Sequence, residues 1–314
     1  MCAVTPLARG AIYGLGAAAI WGGMYVVSDL VLPVIPPFTL LSIRLLISIA
    51  VLGVIVWRNH TPRPTSRRDT RRILWAGFIG FGISLGAQFV GTDLSNAVSG
   101  ALITSASPAF ILIFAVLLLH ERLTAARIAA VALATIGVVV IINPSAADFG
   151  SSAFLGNLAL TIAAMTWGLY SVLVRRISSR VDTLFFSFLA PVGGLILTLP
   201  AAAFELQSRP IGPVTPAVIA GVLYLGVIST ALAMWMWNRA FALVDASTAS
   251  LFFFAQPLTG AALSVVLLGQ TMTTGLWIGG ALIGAGVLLA IAGDRRSTSV
   301  VTQEPVDGLH SGDG

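Results

Sequence analysis

The sequence predicts an all-α polytopic membrane protein, ten transmembrane helices arranged as two inverted five-helix repeats. Three observations carry that prediction. The 314-residue chain is 57% hydrophobic and only 9% charged, against roughly 25% charged residues in a soluble domain. So little charge cannot cover a water-facing surface, and the solvent must be largely lipid. The apolar residues fall into ten stretches, each near the roughly 20 residues that cross a hydrocarbon core. The first five stretches also find an echo in the second five.

The stretches are residues 10–30, 38–57, 73–92, 97–119, 126–143, 154–174, 183–203, 216–238, 246–268 and 275–292. The last two are divided where polar, glycine-flanked residues run from Gly269-Gln270-Thr271 to Thr274-Gly275, a turn between two helices. All seventeen basic residues are arginine. Arg9, the group from Arg58 to Arg72, Arg122 and Arg127, Arg175 to Arg180, Arg239, and Arg295 with Arg296 fall in alternate gaps. The gaps between these hold only Arg209, and the remaining one, Arg44, lies well inside a span. By the positive-inside rule this alternation predicts ten crossings of the inner (plasma) membrane with both termini cytoplasmic. The net charge of +5 and pI near 10.3 therefore read as orientation signals, and no nucleic acid is expected as a partner. Residues 297–314 are polar and aperiodic and read as a disordered cytoplasmic tail. Only Arg9 precedes the first apolar run, so a cleavable signal peptide is not expected.

Several chemistries are excluded. Without lysine there is no P-loop and no Schiff base. The single cysteine, Cys2, allows no internal disulfide. His120-Glu121 invites a zinc reading, but H-E-x-x-H needs a second histidine where Thr124 stands, and His60 and His310 lie in a loop and the tail. No metal and no cofactor is expected, and no catalytic cluster supports an enzyme.

The echo is specific. "NAVSGALITSASPAFILIFAVLLLHERLT" from Asn96 matches "DASTASLFFFAQPLTGAALSVVLLGQTMT" from Asp245 at a shift of 149, which places Pro108 on Pro257, Gly77 on Gly226 and Gly137 on Gly286. Trp21-Gly22 matches Trp167-Gly168 at a shift of 146. Five helices per unit is odd, so the second unit enters the bilayer the other way up, a construction shared by many secondary transporters. With an early Trp in each unit, "LLSIRLLIS" in the second helix and "ASPAFILIFAVLLLHERLT" in the fourth, the halves, 10–143 and 154–292, resemble the EamA repeats of the drug/metabolite transporter superfamily. The resemblance implies ten helices, two inverted repeats and export of small metabolites. The chain departs from it at Gln270, where relatives often carry Glu, and in lacking a second-repeat partner for Arg44 near Ala190.

Candidate residues follow from depth. Pro108 and Pro257 sit about eleven residues into their spans, about 16 Å deep at a rise of about 1.5 Å per residue. Each is expected to free a carbonyl four residues earlier, at Thr104 and Phe253, either as a packing kink or as the wall of a cavity. Arg44 is costly inside a span, on the order of 2.5–3.5 kcal/mol at the centre. It is expected to snorkel toward the outer end and meet Asp29 or Asp93, as a structural pair or an anchor for an anionic group. Trp21 and Tyr25 share a helix face, as do Trp167 and Tyr170. Gln88, Ser105, Asn238 and Gln256 are uncharged polar groups that belong in the bundle interior, as cavity lining or as glue between helices. Glu121 reads as an interfacial charge paired with Arg122 or Arg127, or as an inner gate latch with Gln270 as its outer counterpart. G-x-x-x-G patterns at Gly82/Gly86, Gly275/Gly279 and Gly280/Gly284 read as close packing, with a homodimer face on the tenth helix as the alternative.

The expected function is secondary transport, as an exporter of amino acids or related amphipathic solutes by alternating access, with the lipid bilayer and a small-molecule substrate as partners. The alternatives are a lipid-headgroup or lipid-linked-sugar flippase, a membrane-embedded enzyme, and a passive partner subunit.

Overall fold

A computed structural model describes residues 5–64, 66–94, 103–104, 106–121, 124–142 and 151–256, with 258–259, 263, 274, 277–279, 281–282, 284–286 and 288–289. Among the described residues the regular structure is helical throughout. The helices are α1 (Pro6–Val31), α2 (Pro37–Arg58), α3 (Arg67–Leu94), α4 (Ser107–Leu119), α5 (Ala125–Ile142), α6 (Ser151–Ser178), α7 (Thr183–Ser208), α8 (Pro216–Leu243) and α9 (Ala246–Leu251). A 3-10 turn, Phe252–Phe254, continues α9. Six of these (α1, α2, α3, α6, α7, α8) are long and apolar enough to cross a bilayer, while α4 and α5 are shorter apolar helices. Most of the expected ninth and tenth stretches lies outside the described residues.

Several helices overrun their apolar stretches because polar residues cap them. The hydroxyls of Thr5, Ser66 and Thr215 accept from Ala8, Arg68 and Val218 N–H at 3.2, 3.1 and 3.3 Å. The Asp182 carboxylate accepts from Leu184 N–H at 2.8 Å. Each takes a donor that the first turn leaves free. In the fourth stretch residues 103 and 104 are helical, and α4 begins at Ser107 with Pro108 in its first turn, where a missing N–H costs nothing; the Thr104 carbonyl is the one Pro108 was expected to free. Ser107 Oγ donates to the Thr104 carbonyl at 2.6 Å.

The two repeats interlock through helix pairs that cross between them: α1 on α8, α2 on α7, and α3 on both α6 and α7. At the α3–α7 crossing, Gly77 lies against the Ala190 carbonyl and Gly193 against the Leu74 carbonyl, so a Cβ at either would overlap backbone. Helices approach this closely in lipid only where side chains are absent. Two π-helical segments, Phe78–Ser84 in α3 and Tyr224–Leu232 in α8, occupy corresponding places in the repeats. Trp21, Phe81, Tyr170, Phe186, Trp237 and Phe241 form part of the buried core, whereas Ile12, Trp57, Trp75, Phe154 and Phe204 are exposed on the outside, as a lipid-facing surface requires.

Candidate functional site: a central cavity and its two ends

A small cavity of about 30 Å³ lies at the meeting of the repeats. Its wall is Trp21 and Met24 of α1, Ser84, Leu85 and Gln88 of α3, Thr104 and Ser107 around the start of α4, Ala163 and Trp167 of α6, Met234 of α8, and Phe253 and Gln256 after α9. None of these side chains is charged. Ser84 Oγ is engaged with the Ala163 carbonyl at 2.8 Å and Trp21 Nε1 with the Ser229 carbonyl at 3.0 Å. Two buried polar atoms on the wall have no hydrogen-bond partner: Trp167 Nε1, a donor, and Gln256 Oε1, an acceptor. A buried polar group left unpaired is costly, so the pair marks where a bound molecule has most to gain.

The π segment of α8 organises the region behind this wall. A π turn departs from the regular α ladder, and here the Leu225 and Ser229 carbonyls accept side-chain donors from α2 and α1. Arg44 is fully buried. Its Nε donates to the Leu225 carbonyl at 3.3 Å and to Thr230 Oγ1 at 3.1 Å. One amino group donates to Ser229 Oγ at 3.4 Å and contacts Met24 Sδ at 3.6 Å; the other has no partner. The Phe89 ring lies 5.1 Å from the guanidinium carbon. Arg44 therefore neither snorkels nor pairs with Asp93, whose carboxylate is held by Arg209 at 2.8 Å. Neutral oxygens of α8, available at its own depth, hold it instead. The Asp29 side chain lies outside the described residues.

Toward each end of the bundle a carboxylate from one repeat is seated on a helix start of the other. At one end Glu121, just past α4, accepts from Ala246 N–H at 2.9 Å, from Ser247 N–H at 3.1 Å and from the Ser247 hydroxyl. At the other, Glu205 near the end of α7 accepts from Phe38 N–H at 3.3 Å, Thr39 N–H at 2.9 Å and Thr39 Oγ1 at 3.1 Å. Neither helix has a side-chain cap of its own: Pro36 and Asp245 stand at the cap positions without such a bond. Each glutamate thus supplies, across the repeat boundary, the negative charge a helix N-terminus favours. An ion pair accompanies each: Arg127–Asp245 at 3.0 Å with Arg175–Asp245 at 3.6 Å, and Arg209–Asp93 at 2.8 Å.

The comparisons agree with this two-repeat build. The model of the EamA-like transporter family matches residues 8–143 and again 154–292. The chain belongs to the EamA-like transporter family. Among its relatives, Uncharacterized transporter YetK of Bacillus subtilis (strain 168) is 26% identical over 286 residues, 90% of this chain and 87% of that protein. An Uncharacterized transporter of Archaeoglobus fulgidus is 24% identical over 277 residues, 87% of this chain and 94% of its own. One crystal structure aligns with 91% of this chain and 98% of its own at a TM-score of 0.78 and 22% identity, a likeness of fold. As a member of this family the chain is a multi-pass membrane protein of a transporter lineage.

Within that EamA-type frame, the residues singled out from the sequence separate. Trp21, Gln88, Thr104, Trp167 and Gln256 stand on the cavity wall. Tyr170 and Asn238 meet elsewhere: Tyr170 Oη donates to Asn238 Oδ1 at 2.8 Å, and Asn238 Nδ2 donates to Ser187 Oγ at 3.0 Å, a buried tie between α6, α8 and α7. Pro108 is buried at the start of α4 and Arg44 lies one side chain behind the wall. Ser105, Pro257 and Gln270 lie outside the described residues, as does the Tyr25 side chain. Glu121 seats on α9, while Arg127, one of its expected partners, bonds Asp245 and Thr248; Arg122 is outside the described residues. Glu205, Met24, Ser84 and Met234 escaped the sequence reading, and Phe253 entered it only for its backbone carbonyl. Glu205 carried one available signal, as the acidic residue just beyond the seventh apolar run.

Proposed function

We propose that this chain is a secondary transporter that exports small metabolites, amino acids or related amphipathic solutes, by alternating access. The observation that supports this best is the pair of carboxylate seats, one toward each end of the bundle, that tie the two repeats together on either side of a central cavity's helices. Each seat joins the two repeats, so on this reading a path to either side opens by breaking one seat while the other holds. The Glu121 end is the arginine-rich one, so it faces the cytoplasm on this reading. No carboxylate sits at a span centre in the sequence, which favours solute exchange or facilitated diffusion over a buried proton relay.

Paired cysteines at 121 and 247, and separately at 39 and 205, in a Cys2→Ser background test the cycle. In proteoliposomes loaded with a panel of radiolabelled amino acids, oxidising either pair should abolish counterflow and reduction should restore it. Undiminished flux with both pairs oxidised would sink alternating access. Scrambling of a fluorescent phospholipid in the same vesicles, without amino-acid flux, would shift the assignment to a flippase.

A further inference from the structure

The charge around the cavity says what it can hold. Its described wall is neutral, and the sequence extends that statement: no ionisable side chain occurs from 95 to 119 or from 246 to 293, the segments that contain Ser105 and Pro257. One formal charge stands close. The Arg44 guanidinium touches Met24 Sδ at 3.6 Å, and Met24 is part of the wall. Its other described contacts are neutral oxygens and the Phe89 ring. In a dry interior such a charge is weakly screened, so its field opposes a cation in the cavity. An anion is attracted by the same field but would be stripped of water without touching the guanidinium, because Met24 intervenes, and an unpaired buried ion is strongly disfavoured. Aromatic faces can hold cations, but Trp21 packs at 5.4 Å from Trp167, 5.3 Å from Trp237 and 6.3 Å from Phe253 between ring centroids, so much of that surface is already covered. What the wall leaves unmet is one donor, Trp167 Nε1, and one acceptor, Gln256 Oε1, on residues each 6% exposed.

We infer that the cavity, about 30 Å³ in this state, widens to take a small solute of no net charge, with an apolar body and an amide-like head that accepts from Trp167 Nε1 and donates to Gln256 Oε1, and that Arg44 is the charge that excludes cations. This deepens the transport reading, narrowing its solutes to uncharged amino-acid derivatives and related neutral molecules rather than zwitterionic amino acids, and rests on it for physiological meaning, but binding can be measured apart from flux. Equilibrium dialysis of the full chain in detergent, at pH 7, would compare three labelled probes of one shape: N-acetyl-phenylalaninamide (neutral), phenylalaninamide (cationic) and N-acetyl-phenylalanine (anionic). The neutral probe should bind about tenfold or more tighter than either ion. Trp167→Phe, which keeps an aromatic ring and removes the donor, should weaken the neutral probe about tenfold. Arg44→Gln should narrow the gap between cation and neutral; should that variant fail to fold, the wild-type ranking and Trp167→Phe decide. A cation that binds as tightly as the neutral probe, or no saturable binding of the neutral probe, overturns the inference. Saturable neutral binding without flux in proteoliposomes would instead remove the transport reading and leave this one standing.

Discussion

At the Glu121 end and the Glu205 end the same kind of seat is built, two backbone N–H groups and a hydroxyl on one carboxylate, yet the ion pairs beside them differ. The Arg127 side chain is 11% exposed, and Asp245 receives a second arginine. Arg209 and Asp93 are 42% and 31% exposed and form a single pair. Asp245 is itself 51% exposed and Arg175 31%, so solvent screens both arrangements, and the buried Arg127 and the second arginine are what set the first apart. The lesson is that two chemically alike seats arise on different helix pairs of the duplicated chain, α4 with α9 and α7 with α2, rather than as copies of one another, and that the arginines beside them differ.

The comparison breaks most severely at the helix crossings on which both ends depend. Gly77→Ala drives a methyl into the Ala190 carbonyl and should destabilise the bundle by about 3 kcal/mol or more. At Gly226, its repeat counterpart, the nearest atoms belong to the Ile47 side chain rather than to backbone, so Gly226→Ala should cost less. Thermal unfolding in detergent ranks them, and equal losses would mean the α3–α7 crossing is not special. The seats come next. Glu121→Ala and Glu205→Ala each remove charge-assisted bonds to a helix start and should each cost about 2 kcal/mol. Each should also raise maleimide labelling of a cysteine placed in the cavity only from the affected side; labelling that rises from both sides equally would undo the assignment of one seat to one end. A smaller difference sharpens the contrast between ion pairs. Asp245→Asn removes the partner of two arginines and should cost about 1 kcal/mol, against a few tenths for Asp93→Asn. High salt should erase the Asp93 effect first. The smallest effect is the Arg209→Asp, Asp93→Arg exchange, which should restore stability to within about 0.5 kcal/mol of the parent.

Much of the architecture was legible in the sequence because lipid leaves few choices. A charge-poor chain with long apolar runs must be helical in a bilayer, and the 149-residue echo announced the duplication that the two family matches and the paired π segments display. Trp21, Trp167, Gln88 and Gln256 were chosen as polar or amphipathic groups too deep to face lipid, and they stand on the cavity wall. Tyr170 and Asn238 satisfied the same criterion but bond each other, because a sequence cannot say which buried polar groups find partners among themselves. Arg44 was read against carboxylates at the helix ends, since a charge asks for a countercharge. The acceptors it uses are a π segment's carbonyl and the hydroxyls beside it, and no residue pattern announces where a helix will widen.

By itself, then, the sequence determined the solvent, the helical class, the duplication, the family and the polar residues that had to be kept from lipid, because those follow from composition and periodicity along one dimension. Only the tertiary structure decided that Glu121 and Glu205 form chemically alike seats, that Met24 stands between Arg44 and the cavity, and that a donor and an acceptor are left unmet on its wall. Each of those facts depends on which residues of different helices come within hydrogen-bond or contact distance of one another, and that distance is set by how the helices cross rather than by their spacing along the chain.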